Sequence, residues 1–179
     1  MVYKMFNLVL SNTKNMRFRY EVIMWAQHLL KLIPGRIGCI LRNFLLPYKN
    51  GKNVTIWDGT HIDSPSKLEI GDNVSINRRS VIHAGGGVKI ADNVLVGPGV
   101  VIYSQNHNFH QKDININLQG YSTDAVIINE NVWVGAQSII LPGVTVGPNS
   151  IIGAGSVVKK DVEANTIVAG NPAKFIKYR

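Results

Sequence analysis

The sequence predicts an all-β solenoid of six-residue repeats behind a helical amino-terminal segment. Three observations predict it. From Ile128 an aliphatic residue returns every six residues, at Val134, Ile140, Val146, Ile152 and Val158. The fifth place of each six holds only Val or Ser, at Val132, Ser138, Val144, Ser150, Ser156 and Val162, compact side chains that let a chain turn sharply. Pro98-Gly99, Pro142-Gly143 and Pro148-Asn149 then supply turn chemistry between sixes. No helix has a period of six, and a plain strand alternates every two residues. What fits is a stack of very short strands joined by tight turns, each repeat too small to bury its own apolar face.

A length of 179 residues suits one domain with a small appendage, divided here as 1–52 and 53–179. The 17 glycines and 7 prolines have no collagen spacing and alternate with Val and Ile, which indicates turns and not disorder. Cys39 is the one cysteine, so no internal disulfide framework exists and a reducing, cytoplasmic compartment is expected. The net charge of +8 is unevenly placed: residues 1–52 carry nine Lys or Arg against Glu21 alone, and the rest of the chain balances. An anionic surface would therefore meet the amino-terminal segment and not the solenoid. No nucleic-acid partner is expected.

In chain order, Met1 to about Pro47 reads as helical. Val22, Trp25, Ala26, Leu29, Leu30 and Ile33 recur at three- and four-residue spacing, and Pro34-Gly35 stops the run. A second apolar piece spans Ile37 to Leu46. Both fall short of the ~18 to 20 apolar residues that cross a bilayer, and the first residues lack a signal-peptide layout. Two readings stand for residues 1–47. One is a basic amphipathic segment resting peripherally on the anionic inner face of the cell membrane. The other is a cap over the open end of the solenoid.

The sixes begin at Val54 and run through Ile56, Ile62, Ile70, Ile76, Ile82, Ile90, Val96 and Ile102, with two-residue insertions at Leu68-Glu69 and Val88-Lys89. Three sixes make a coil of eighteen, so residues eighteen apart should stack at the ~4.8 Å strand spacing. The pattern breaks once, over residues 103–125, a polar excursion that holds His107 and His110. Function concentrates in such excursions from a regular scaffold.

Four features together carry a family resemblance: the sixes, Asn106-His107 where a coil runs into the excursion, the restart Asn131-Val-Trp-Val-Gly135, and the closing Ala169-Gly-Asn-Pro-Ala-Lys174. Over residues 54–178 the chain resembles the hexapeptide-repeat acyltransferases. Within them it is similar to the sugar O-acetyltransferases related to maltose and galactoside acetyltransferase and to those that decorate capsule and O-antigen polysaccharides. The resemblance implies a left-handed parallel β-helix, a hand that the general rule for parallel crossovers would not give. It also implies acetyl-CoA as co-substrate and a homotrimer with active sites between neighbouring subunits.

Acetyl transfer from a thioester to a hydroxyl needs a base near neutrality and donors for the developing oxyanion. His107 is the expected base, and it matches the family's catalytic histidine. His110 is the nearest rival and shapes the loop, while His28 reads as a helix residue and His61 and His83 as outward coil residues, mostly inert. Asn77, thirty residues before His107, matches the family's acceptor-binding asparagine, and the adjoining Arg78-Arg79 would suit an acidic or phosphate-linked acceptor. On the coenzyme side, Ala136 and Ala154 lie eighteen apart and leave room for a pantetheine arm. By similarity the Ala136 N–H is the oxyanion donor and Trp133 packs near the acetyl end. Lys159, Lys160, Lys174 and Lys177 would meet the phosphates, where the family often has Arg at the last two places. Cys39 lies outside the repeat, which favours direct transfer without an acyl-enzyme.

Three functions follow. The first is O-acetylation of a saccharide in surface-polysaccharide synthesis. The second is N- or O-acetylation of an amino sugar or antibiotic. The third is a carbonic anhydrase of the same fold, which needs three imidazoles converging on zinc, and the spacing of His83, His107 and His110 does not suit that. No metal is expected.

Overall fold

The computed structural model describes residues 16–179; the helical expectation for residues 1–15 lies outside these. Two helices, α1 (Met16–Leu30) and α2 (Gly35–Leu45), precede a solenoid with three faces of parallel strands. Strands Lys49–Asn50, Leu68–Ile70, Val88–Ile90, Val126–Ile128 and Thr145–Val146 build the first face. Thr55–Ile56, Ser75–Ile76, Leu95–Val96, Trp133–Val134, Ile151–Ile152 and Thr166–Ala169 build the second. His61–Asp63, Val81–His83, Val101–Tyr103, Ile139–Ile140 and Val157–Val158 build the third. The last strand, Lys174–Tyr178, folds back antiparallel against Thr166–Ala169.

The residues that define the sixes form the interior columns. Ile56, Ile76, Val96, Val134 and Ile152 stack inside the second face, and Ile62, Ile82, Ile102, Ile140 and Val158 inside the third, all buried. Each Cβ column repeats at one strand spacing, so a coil buries its apolar edge only when neighbours are present above and below. The fifth-place serines are buried as well, and their hydroxyls are satisfied: Ser138 and Ser156 donate to Gly153 O at 2.9 and 2.6 Å, and Ser150 donates to Glu163 O at 2.8 Å.

The coil of eighteen holds only in the second half, where Trp133 pairs with Ile151 and Ile139 with Val157. In the first half partners are twenty apart, as in Ile56 with Ile76 and Ile82 with Ile102. The physical reason is local. From first to second face and from second to third, the chain always takes six residues. From third back to first it takes eight (Ile62 to Ile70, Ile82 to Ile90), then twenty-six (Ile102 to Ile128), six (Ile140 to Val146) and four (Val158 to Val162). Every change in coil length falls at this third corner.

The corner between first and second faces repeats one device. Asn53, Asn73, Asn93, Asn131, Asn149 and Asn165 all sit at φ between 55° and 60°, a left-handed conformation that asparagine tolerates better than other side chains with a Cβ. Their amides join coil to coil, Asn53 to Asn73 at 3.1 Å, Asn131 to Asn149 at 2.8 Å and Asn149 to Asn165 at 3.0 Å.

The two helices lie on the first coil and meet its unpaired backbone with polar side chains. The Gln27 amide donates to Ile62 O at 2.7 Å and accepts from Ile62 N–H at 3.0 Å, reproducing the pairing of an adjacent strand. Asn43 donates to Val54 O. Arg42, buried at 1% exposure, donates to Ile56 O, Leu30 O and Ile33 O at 2.7, 2.6 and 3.0 Å. The expected apolar face of α1 is split by this arrangement: Leu30 is buried, whereas Trp25 and Leu29 are exposed. Inward-facing polar groups take priority because an edge strand buried without partners costs about 1–3 kcal/mol for each orphaned group. Among the described residues no helix is long and apolar enough to cross a membrane.

Candidate active site

The polar excursion leaves the third corner as a two-stranded ribbon. Strand Gln105–His107 pairs antiparallel with Tyr121–Thr123, and His107 stands opposite Tyr121. Ser104 closes the root: it is fully buried, its hydroxyl donates to His83 O at 2.6 Å, and its carbonyl accepts from Asp124 N–H at 2.9 Å. Beyond the ribbon two side-chain amides hold the loop: Asn108 donates to Gln119 O at 3.1 Å, and Gln119 makes three bonds of its own. Gln119 donates to Gln111 O at 2.8 Å and to Ile114 O at 2.7 Å, and accepts from Gln111 N–H at 3.0 Å. This staple yields a separable prediction. Gln119→Ala should leave the melting temperature within about 2 °C, because the loop touches little of the core, yet lower kcat/KM several-fold by loosening the ribbon that carries His107. Unchanged kinetics with an unchanged melting curve would contradict it.

His107 packs its ring against Tyr121 with centroids 4.3 Å apart. Between ribbon and solenoid runs a cleft of about 480 Å³, lined by Asn106, His107 and Tyr121 on one side and His83, Tyr103 and Leu141 on the other. His83 is not the inert residue expected. Its Nδ1 lies 2.5 Å from Asp63 Oδ2, and its ring stacks on Tyr103 with centroids 4.6 Å apart and planes 9° off parallel. Asp63 also meets His61 Nε2 at 3.1 Å. The hydrogen bond with His61 holds the Asp63 carboxyl below its usual range against the opposing effect of burial. The result is a carboxylate-oriented imidazole on the cleft wall facing the ribbon.

Asn77, Ala136 and Ala154 share the corner between second and third faces. There the backbone ladder is carried by Gly135 N–H to Ile152 O at 2.7 Å and Gln137 N–H to Pro98 O at 2.9 Å, and the Ala136 N–H between them takes no part in it. Glycines keep this edge tight: a Cβ on Gly97 would lie 2.7 Å from Ala136 N, and one on Gly135 would lie 2.5 Å from Ala154 N. The Asn77 carbonyl oxygen of the side chain accepts from Arg78 N–H at 2.8 Å, and Arg78 is drawn to Asp58 at 3.0 Å and over the Trp57 ring. Arg78 is thereby partly neutralised, which weakens the case for an acidic acceptor at that position.

Trp133 is exposed on the second face, at the register of Leu95 and Ile151. Lys159 and Lys160 line a groove of the last coil with Phe175, and Lys174 adjoins it in the chain. Lys177 lies further along the same strand, opposite Ile167. Within one chain the structure thus joins Asn77 with the two alanines, and leaves His107 at the next corner, one face away. Among the described residues no group of three His, Cys, Asp or Glu is placed to hold a metal ion.

Comparison with known proteins agrees with this architecture. The family described as bacterial transferase hexapeptide (six repeats) matches residues 125–160, and the hexapeptide repeat of succinyl-transferase matches 67–104. A protein of Escherichia coli K12, WbbJ, named for lipopolysaccharide biosynthesis O-acetyl transfer, is 32% identical over 151 residues, which cover 79% of this chain and 76% of that one. The chain belongs to the hexapeptide-repeat acetyltransferases. Its solenoid is therefore the left-handed parallel β-helix of that family, preceded by two helices. A galactoside O-acetyltransferase of the same organism is 37% identical over 127 residues, 71% of this chain and 62% of that one. The chain thus spans about three fifths of that relative's length. Among solved structures, the hexapeptide-repeat acetyltransferase VCA0836 of Vibrio cholerae, complexed with acetyl coenzyme A, superposes with a TM-score of 0.77 at 26% identity, covering 88% of this chain and 87% of that one. The two family matches flank the ribbon and leave it out, so the repeat that defines a hexapeptide-repeat acetyltransferase and the excursion that bears His107 are separate parts of the chain.

Sequence reasoning missed Asp63 and its partner His83. A signal was present, because the two are twenty residues apart and the first coils are twenty residues long, so they fall side by side on neighbouring strands.

Proposed function

We propose that this chain transfers an acetyl group from acetyl-CoA to a hydroxyl of a saccharide, in surface-polysaccharide synthesis, with His107 as general base. The observation that carries the reading is the position of His107 on the rim of a cleft with aromatic and polar walls. Such a cleft, with Tyr103 and Tyr121 offering flat faces and Asn106 and His83 offering hydrogen bonds, has the makeup of a small-molecule site. The family relatives named for galactoside and lipopolysaccharide acetylation support a sugar acceptor, and the acetyl-CoA complex of the Vibrio protein supports the donor.

In the proposed reaction, a neutral His107 nitrogen takes the acceptor's hydroxyl proton as the oxygen attacks the thioester carbonyl. The tetrahedral intermediate carries its charge on the former carbonyl oxygen, which the Ala136 N–H stabilises. Collapse breaks the carbon–sulfur bond, and the imidazolium returns the proton to the departing thiolate. The small residues Ala136 and Ala154 accommodate the pantetheine arm along their corner, Trp133 packs near it, and Lys159, Lys160, Lys174 and Lys177 meet the phosphates. Asn77 hydrogen-bonds the acceptor. The one-face separation of His107 from Asn77 and Ala136 within a chain suits a homotrimer in which one subunit's corner completes its neighbour's cleft.

The test is turnover of acetyl-CoA against a panel of free sugars, lipid-linked sugars and amino sugars, with products located by NMR. An O-acetyl ester on a saccharide is expected. Acetylation confined to amines would overturn the hydroxyl assignment, and a chain that bound acetyl-CoA but acetylated no saccharide would overturn the acceptor class.

A further inference from the structure

We propose that the outer surface of the two helices is a docking face for an anionic lipid bilayer. The first observation is that both helices leave large apolar side chains exposed although Leu30, Leu41 and Leu45 pack on the core. On α2 the buried side holds Gly38, Cys39 and Arg42, while Ile37 and Ile40 face outward, 71% and 66% exposed. On α1 the buried side holds Gln27 and Leu30, while Trp25, 67% exposed, and Leu29 stand outside with Phe18 and Tyr20, followed by Leu32 in the turn. A helix on a soluble domain ordinarily turns its apolar stripe to the core. Here the first coil claims Gln27, Asn43 and Arg42 for its unpaired backbone, and eight large apolar side chains, Phe18, Tyr20, Trp25, Leu29, Leu32, Ile37, Ile40 and Phe44, are left at least half exposed over about thirty residues.

The second observation is charge. Every unit of the net +8 belongs to residues 1–52, where Glu21 is the only acid. In the chain, Lys31 adjoins the exposed Leu32 and Arg36 the exposed Ile37. An apolar face with aromatic members and a cationic border lies in the plane of a headgroup layer, attracted by anionic lipid and anchored by its aromatic and aliphatic side chains. At 15 and 11 residues, the helices are too short to span it. A second copy of the chain suits this face poorly, since it would bring the same positive charge to the same place.

The test is flotation of the full chain with vesicles of phosphatidylglycerol and phosphatidylcholine, beside vesicles of phosphatidylcholine alone. Binding to the anionic vesicles is expected to be roughly tenfold or more tighter than to the neutral ones, and to weaken in about 0.5 M salt. The exposed double variant Trp25→Glu, Ile40→Glu should lose that binding while retaining its far-UV spectrum and its melting temperature. Equal flotation of the variant, or equal affinity for neutral vesicles, would overturn the proposal. So would absence of flotation in a chain that self-associates through this face, seen as a concentration-dependent mass lost in the variant. The result is independent of whether the chain acetylates a sugar, because the readout is the vesicle and not turnover.

Discussion

Replacing His107 by alanine is expected to lower acetyl transfer at least about a hundredfold, since loss of a positioned general base typically removes two to four orders of magnitude. The imidazole sits at the end of a ribbon strand and leans on Tyr121, with no part in the interior columns. Its removal should therefore leave the fold intact and leave acetyl-CoA binding unchanged, because the proposed coenzyme contacts belong to Trp133, Ala136, Ala154 and the four lysines and not to His107. The loss should appear in kcat with little change in the coenzyme's KM. His110 provides the internal control: its ring packs on Phe109 and it stands outside the cleft lining, so His110→Ala should cost much less. Near-normal turnover by His107→Ala would remove the residue from the mechanism, and an equal loss in both variants would point to loop integrity instead of chemistry.

Arg42→Met is expected to be the most damaging single change to stability. Methionine fills a similar volume but offers no donors, so the carbonyls of Ile33 and Ile56 lose their partner inside the protein and Leu30 O keeps only the long bond from Ile33 N–H at 3.2 Å. At roughly 1–3 kcal/mol for each buried group left unpaired, the loss should reach about 3 kcal/mol or more. For a chain of this size that corresponds to a fall in melting temperature of roughly 6–12 °C. Lysine should rescue little, because a single ammonium cannot reproduce three bonds made from a planar fork. Gly38 belongs to the same arrangement: a Cβ there would lie 2.0 Å from Ile33 O and 2.8 Å from the Arg42 guanidinium. Thermal unfolding followed by far-UV signal and by tryptophan emission would check the prediction. A shift under about 2 °C by both probes would mean that water replaces the guanidinium without cost.

The solenoid was legible because its interior places are set by a rigid repeat: each six delivers one aliphatic residue inward, and nothing else in the chain competes for that space. Ile128 to Val158 could be assigned residue by residue on that ground. The coil length was harder. Pattern alone suggested eighteen, and the two-residue insertions at Leu68 and Val88 had to be understood as a widening of one corner before Asp63 and His83 became neighbours. The helices misled for a different reason. Hydrophobic spacing placed Trp25 and Leu29 with Leu30 and Ile33, but the edge strand demands hydrogen bonds, and Gln27, Asn43 and Arg42 meet that demand. Counting the unpaired backbone groups of the first coil would have predicted inward polar residues. The ribbon's pairing was invisible to periodicity, since it depends on contacts between residues that no repeat relates.

The third corner carries all the variation in coil length, and this makes the molecule modular in a particular sense. Two corners are locked by ladders that an added residue would throw out of step. The third is an open port, where four residues or twenty-six return the chain to the same strand position. Lengthening a flexible connection adds only slowly to its closure cost, about 0.6 kcal/mol for each doubling. Loops of other sequence could be exchanged there, and with them the shape of the cleft, while the frame that winds past it stays as it is.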